Sequence, residues 1–165
     1  MVKPPVPSAL VLSGGGARAA YQVGTLRAIA RLIGRKHVSP FPIICGTSAG
    51  AINAAMLAVN ADDFRRGVAQ LLRLWRSLRI ADVYLSDMPS LSRLGFRWLA
   101  SVVAGRRAPG GAMSMLDNAP LRRLLSKNLD FEALGTRIAE GSLTALTINA
   151  TSYRTGQSVT FVQGA

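Results

Sequence analysis

Two short glycine-bearing stretches hold the residue types from which acyl-transfer chemistry can be built. Gly46-Thr47-Ser48-Ala49-Gly50 fits the pattern G-x-S-x-G. In that pattern a serine hydroxyl sits on a sharp turn between a strand and a helix, and the flanking glycines let the two backbones approach. Ser48 is the candidate nucleophile, with Gly46 and Gly50 shaping the elbow. The pentapeptide is common by chance, so its surroundings matter more than its letters, and a serine so placed can also simply cap the helix. Gly14-Gly15-Gly16-Ala17-Arg18 likewise follows an apolar run and opens a helical pattern, which leaves its backbone N–H groups free to face an anion. Three anions compete for this loop. A phosphate loop of the form G-x-x-x-x-G-K-[ST] is absent, and the dinucleotide fingerprint is met only in the degenerate form Gly14, Gly16, Ala19. The third is the oxyanion of an acyl-transfer intermediate, held by amides among Gly14, Gly15, Gly16 and Ala17. Only that reading employs both stretches. Arg18 can hold the loop, meet a phosphate or stand as an ordinary surface arginine.

The surrounding pattern supplies the elements such a site needs. Residues 9–13 (ALVLS) read as a strand ending at the glycines, and residues 17–33 carry Tyr21, Leu26, Ile29, Ala30 and Ile33 at helical spacing. Gly34 and the basic pair Arg35 and Lys36 close that helix, and Pro40 and Pro42 break the chain before the next strand, 43–45. The elbow follows, then an uncharged helix of mostly small residues, 51–59. Strand, turn and helix thus occur twice, which predicts an α/β fold with a parallel sheet covered on both faces. Both glycine turns end parallel strands and so share one edge of the sheet.

Further along, residues 61–99 read as helical. Phe64, Val68, Leu71, Leu72, Trp75 and Leu78 fall on one face, and Arg65, Arg66, Gln70, Arg73, Arg76 and Arg79 lie largely opposite. Such a helix packs on its own domain or lies on a membrane surface. A second helical stretch, 91–103, carries Phe96 and Trp98, and the glycine-rich stretch 105–111 reads as a loop. Asp117 or Asn118 starts a helix through 121–125, and residues 143–151 and 157–162 flank a turn at Tyr153-Arg-Thr-Gly156 as a hairpin. The expected organisation is an elbow-and-loop region at 9–60, a cap-like helical segment at about 61–115, and a helix with late strands at 116–165.

His37 precedes the strand that leads to Ser48. It should lie at the opposite sheet end, about five residues of strand or roughly 16 Å away, whereas a general base must reach within ~3 Å of the hydroxyl. A Ser–His–Asp triad is therefore not expected, and a carboxylate paired directly with Ser48 remains.

Length and composition narrow the field. The chain has 165 residues, 49% of them apolar, enough for one domain with a buried core. One cysteine, Cys45, and one histidine exclude a disulfide framework and leave too few ligands for a structural zinc site; no metal or cofactor is expected. Residues 1–8 lack the apolar stretch of a secretory signal, and the greasiest late segment, 91–105, is interrupted by Arg93 and Arg97, so a cytoplasmic protein that can meet a membrane peripherally is expected. The net charge of +12 from 20 basic and 8 acidic residues suits anionic lipid surfaces or nucleic acid. The nucleic-acid reading is weakened because the aromatics follow helical core spacing instead of alternating along an exposed strand.

Taken together, the two stretches resemble the patatin-like phospholipase family, specifically its bacterial type. Residues 12–18 (LSGGGAR) with 19–24 (AAYQVG) are similar to that family's glycine-rich oxyanion loop and first helix, residues 46–50 to its elbow, and 147–164 to its central strands. The resemblance implies a three-layer α/β/α fold with a mainly parallel sheet. It also implies a serine acyl hydrolase of phospholipid or other lipid esters that uses a Ser–Asp dyad without histidine or metal. Ala19 stands where members often have glycine. The family's aspartate belongs to an Asp-Gly pair, and none of Asp62, Asp63, Asp82, Asp87, Asp117 or Asp130 precedes a glycine. The expectation is a domain truncated at its C-terminus, with its aspartate beyond this chain, so that the 165-residue form is inactive or weakly active. The alternative is a catalytically incomplete lipid- or protein-binding module.

Overall fold

Strand β1 (Ala9–Leu12), a single 3-10 turn (Gly16–Arg18) and α1 (Ala19–Leu32) form the first unit of the expected pattern, and β2 (Ile43–Thr47) with α2 (Ala49–Val59) forms the second. In the computed structural model, residues 8–34, 38–79, 119–152 and 155–164 are described. The remaining elements are α3 (Phe64–Ser77), α4 (Ala119–Asn128), α5 (Ala133–Ala139), β3 (Ala145–Thr151) and β4 (Ser158–Gly164). The chain divides into two units, Met1–Ser77 with Leu129–Ala165, and Leu78–Asn128, the latter containing α4.

The four strands make one sheet in the order β1-β2-β3-β4, parallel between β1, β2 and β3 and antiparallel between β3 and β4. Leu12 pairs with Gly46, and Thr47 with Asn149. The first pairing puts the glycine triplet and the elbow at the same sheet edge, as the sequence pattern requires. The hairpin expected at 143–162 is β3–β4. Its turn is closed by the Gly156 amide donating to the Ser152 carbonyl at 2.7 Å, and Gly156 adopts a positive φ of 71° that suits glycine.

Helices were expected on both sheet faces. The strand order explains what the first unit shows: successive crossovers step in the same direction, and right-handed crossovers then put α1 and α2 on the same face. Leu12, Ile44 and Leu146 are buried on that face, whereas Val11 and Val162 on the other are 73% and 67% exposed. Helix α2 lies on the sheet, α1 and α3 pack together and on α2, and α5 packs on α2. Helix α2 accordingly has an apolar surface nearly all round, with Ala54, Met56, Leu57 and Ala58 at 5% exposure or less.

Two faces differ in detail from their expected residues. In α1 the buried stripe is Ala19, Val23, Leu26 and Ala30, at i, i+4, i+7 and i+11, and Tyr21 falls off it and is 82% exposed. In α3 the buried stripe is Phe64, Gly67, Val68, Leu71 and Leu74; Leu72 is only half-buried. Gly67 joins because the helix approaches Asn60 and Leu57 so closely that an added Cβ would lie 3.1 and 3.4 Å from them. The helix ends at Ser77, short of the 61–99 span, and packs its buried stripe on α1 and α2. Phe64 is fully buried, its ring edge-on to Phe41 with centroids 5.9 Å apart. At the far end of α2, Asp62 is bound by Arg66 at 2.7 Å and Arg137 at 3.0 Å, tying α5 to the α2–α3 connection. Helix α5 was not read from the sequence, since seven residues with one buried side chain, Leu134, give little periodicity.

Candidate active site

The elbow is built by crowding. Ser48 stands between β2 and α2 with φ 54° and ψ −124°, the one positive φ of a non-glycine residue among those described. A side chain held there is strained and persists only when its surroundings enforce it. Gly46 and Gly50 are those surroundings. A Cβ on Gly46 would lie 2.6 Å from both Ala51 Cα and Ala54 Cβ, and one on Gly50 would lie 2.5 Å from the Ser13 carbonyl oxygen and closer still to that of Leu12. The bare glycine backbones therefore press α2 onto the ends of β1 and β2. The Ser48 carbonyl accepts from the Ala51 amide at 2.9 Å, starting α2. The Ser48 side chain makes no capping bond and is exposed.

The glycine loop runs past this serine. A Cβ on Gly14 would meet Ser48 Cβ at 3.2 Å, the Thr47 carbonyl oxygen at 3.4 Å and Ser48 Oγ at 3.9 Å. Gly16 has φ 55°, a turn that a larger residue would resist. Beyond it the Arg18 amide donates to the Gly15 carbonyl at 3.1 Å. Among the described residues no hydrogen bond engages the amides of Gly14, Gly15, Gly16 or Ala17. Arg18 is exposed and closes the 3-10 turn. Ala19 is buried at the start of α1.

Several polar residues that sequence reasoning passed over tie these pieces together. Asn53 on α2 is fully buried; its Nδ2 donates to the Ala19 carbonyl at 3.1 Å and to Gln22 Oε1 at 2.9 Å, and its Oδ1 accepts from Trp75 Nε1 at 2.8 Å. Gln22 Nε2 in turn donates to the Ser13 carbonyl at 2.8 Å. The available signal was an amide residue within an otherwise apolar helix, since a buried polar side chain must find partners. On the other side of the elbow, Asn149 Nδ2 donates to Thr47 Oγ1 at 3.3 Å and Thr160 Oγ1 to Asn149 Oδ1 at 2.7 Å, joining the ends of β2, β3 and β4. Only the parallel register brings Thr47 and Asn149 together.

Asp62 and Asp63 follow the far end of α2, a helix of 11 residues, or roughly 16 Å from Ser48 at 1.5 Å per residue. His37, Asp82, Asp87, Asp117, the expected helix at 91–103 with Phe96 and Trp98, and the 105–111 stretch lie outside the described residues. Among the described residues no cluster of three or more His, Cys, Asp or Glu side chains could hold a metal ion, and no helix is long and apolar enough to cross a membrane.

Residues 10–164 match the family described as patatin-like phospholipase. The chain belongs to this family. Membership covers nearly the whole sequence and agrees with the mostly parallel α/β sheet; it places the protein among lipid acyl hydrolases, whose substrates are lipid esters. No curated protein and no solved structure gives a significant match.

Proposed function

We propose that this patatin-like protein is a serine acyl hydrolase in which Ser48 attacks the carbonyl of a phospholipid or similar ester. The observation that carries the reading is the contact between the elbow and the glycine loop, Gly14 lying against Ser48 with the Gly14–Ala17 amides unengaged among the described residues. Ser48 Oγ forms the new C–O bond while its proton passes to a carboxylate, and the carbonyl oxygen becomes an oxyanion received by those amides. Collapse breaks the ester C–O bond, and the leaving alcohol takes the proton. Water, deprotonated by the same carboxylate, then releases the acid from Ser48. The carboxylate is the aspartate implied by the family resemblance; in this reading it lies outside residues 1–165, since the sequence contains no Asp-Gly pair.

The substrate is met at an anionic surface. Helix α3 buries one stripe and exposes Arg65, Arg73 and Arg76 on the other, and basic side chains near such a surface attract it by about 1 kcal/mol each. Co-sedimentation with vesicles of anionic and of zwitterionic lipid tests this: binding that needs the anionic lipid and declines with salt is expected, and binding indifferent to both refutes it.

The catalytic reading is tested on the chain extended through an Asp-Gly segment that supplies the carboxylate, with a long-chain alkyl fluorophosphonate, which forms a covalent tetrahedral adduct on an activated serine. Mass spectrometry of the digested protein is expected to find the adduct on Ser48 and none after Ser48→Ala. Ester hydrolysis that survives Ser48→Ala overturns it. Vesicle binding without any adduct favours the lipid-binding module instead.

A further inference from the structure

We propose that Gln22 is a positioning residue for the Gly14 amide, held in its working orientation by Asn53 and Trp75. The assignment deepens the acyl-hydrolase reading, on which its catalytic consequence rests, although the contacts behind it stand independently.

The direction of the chain of hydrogen bonds is fixed at both ends. An indole N–H can only donate, so Trp75 Nε1, 2.8 Å away, requires the oxygen of Asn53 to face it. The Asn53 nitrogen must then face the Ala19 carbonyl and Gln22 Oε1, at 3.1 and 2.9 Å. With its oxygen so engaged, Gln22 turns Nε2 to the Ser13 carbonyl at 2.8 Å. A donor on α3 thereby decides which way an amide on α1 points, through an asparagine with no exposed surface.

The last bond sets the orientation of the loop. The Ser13 carbonyl and the Gly14 N–H belong to one trans, planar peptide unit and point in opposite directions. Pinning the oxygen toward Gln22 on α1 therefore turns the Gly14 N–H away from α1. The same oxygen is pressed from a second side by Gly50, whose added Cβ would lie 2.5 Å from it. Gly14 lies beside Ser48, 3.9 Å separating its would-be Cβ from Oγ. An oxyanion donor is effective in proportion to how little it must reorganise, and here a side-chain network supplies the rigidity that a glycine triplet lacks.

Gln22→Met keeps the length and shape of the side chain and removes the donor. Backbone 15N relaxation of the 165-residue chain measures the result without reference to catalysis. The Gly14 amide is expected to fall from a rigid order parameter near ~0.85 to below ~0.6 in the variant, with α1 and α2 unchanged. Gly14 remaining as rigid as in the wild type overturns the proposal, whether or not the protein hydrolyses esters. In the fluorophosphonate reaction of the chain extended through an Asp-Gly segment, the limiting labelling rate of Ser48 is expected to fall about 10- to 100-fold, short of the ~10²–10³ cost of deleting an oxyanion donor outright. The concentration for half-maximal rate and the final extent of labelling should stay constant. A merely structural role would instead lower the extent of labelling, and that result with an unchanged rate also overturns the proposal. The function reading fails separately, if the wild-type adduct forms elsewhere than Ser48.

Discussion

Replacing Gly50 by alanine tests the crowding that shapes the elbow. The new methyl would sit 2.5 Å from the Ser13 carbonyl oxygen and 2.7 Å from the Leu12 carbonyl carbon, all backbone, so no side chain can swing aside. Restoring ordinary contact needs a shift of roughly half an ångström to one ångström between the end of β1 and the first turn of α2, in an interior packed as densely as a crystal. Overpacking of this kind costs about 1–3 kcal/mol and sometimes more, and the immovable partners place Gly50→Ala near ~3 kcal/mol. For a chain of this size that is a fall in Tm of about 6–12 °C. Because the displaced carbonyl is the one that Gln22 holds, labelling of Ser48 should fall as well. Gly24→Ala is the control: Gly24 lies inside α1 with nothing within 4 Å of its would-be Cβ, and the change should stabilise by about 0.5–1 kcal/mol. Thermal unfolding followed by circular dichroism measures both. If Gly50→Ala melts within about 2 °C of the wild type, the close approach of α2 to β1 is not what forces the elbow.

Ser48→Gly removes the side chain from a backbone with φ 54°, so it should raise stability by about 1–3 kcal/mol in chemical denaturation, whereas Ser48→Ala keeps the strain and should not. Trp75→Phe leaves the buried Asn53 oxygen without its donor and should cost about 1–3 kcal/mol by urea titration; an unchanged midpoint would show that water or another group replaces the indole. Phe64→Ala empties a fully buried site against Phe41 and should cost about 3–5 kcal/mol, with a cost below about 1 kcal/mol refuting its place at the centre of the packing.

Much of the site was legible in the residues because its logic is local. A turn that carries a serine between two glycines, entered by β-branched residues and left through alanines, needs nothing distant to be recognised, and the same holds for the triplet that ends β1. The parallel pairing of β1 with β2 followed from the helical crossover between them. Tyr21 shows where periodicity loses hold: α1 has polar and apolar residues on several sides, and which stripe is buried depends on where α3 lies. The α2 face behaved likewise, since a helix of alanines offers no preferred side until sheet and helices enclose it.

What the chain determined by itself was therefore the pair of backbone corners and the chemistry their residues permit, because turn geometry is set by steric limits within a few residues. What only the tertiary structure decided was how the corners are held: Gln22, Asn53 and Trp75 come from three helices and meet through hydrogen bonds whose partners are 22 and 31 residues apart. A hydrogen bond leaves no periodic trace in a sequence, and it exists only once packing has excluded water from its partners.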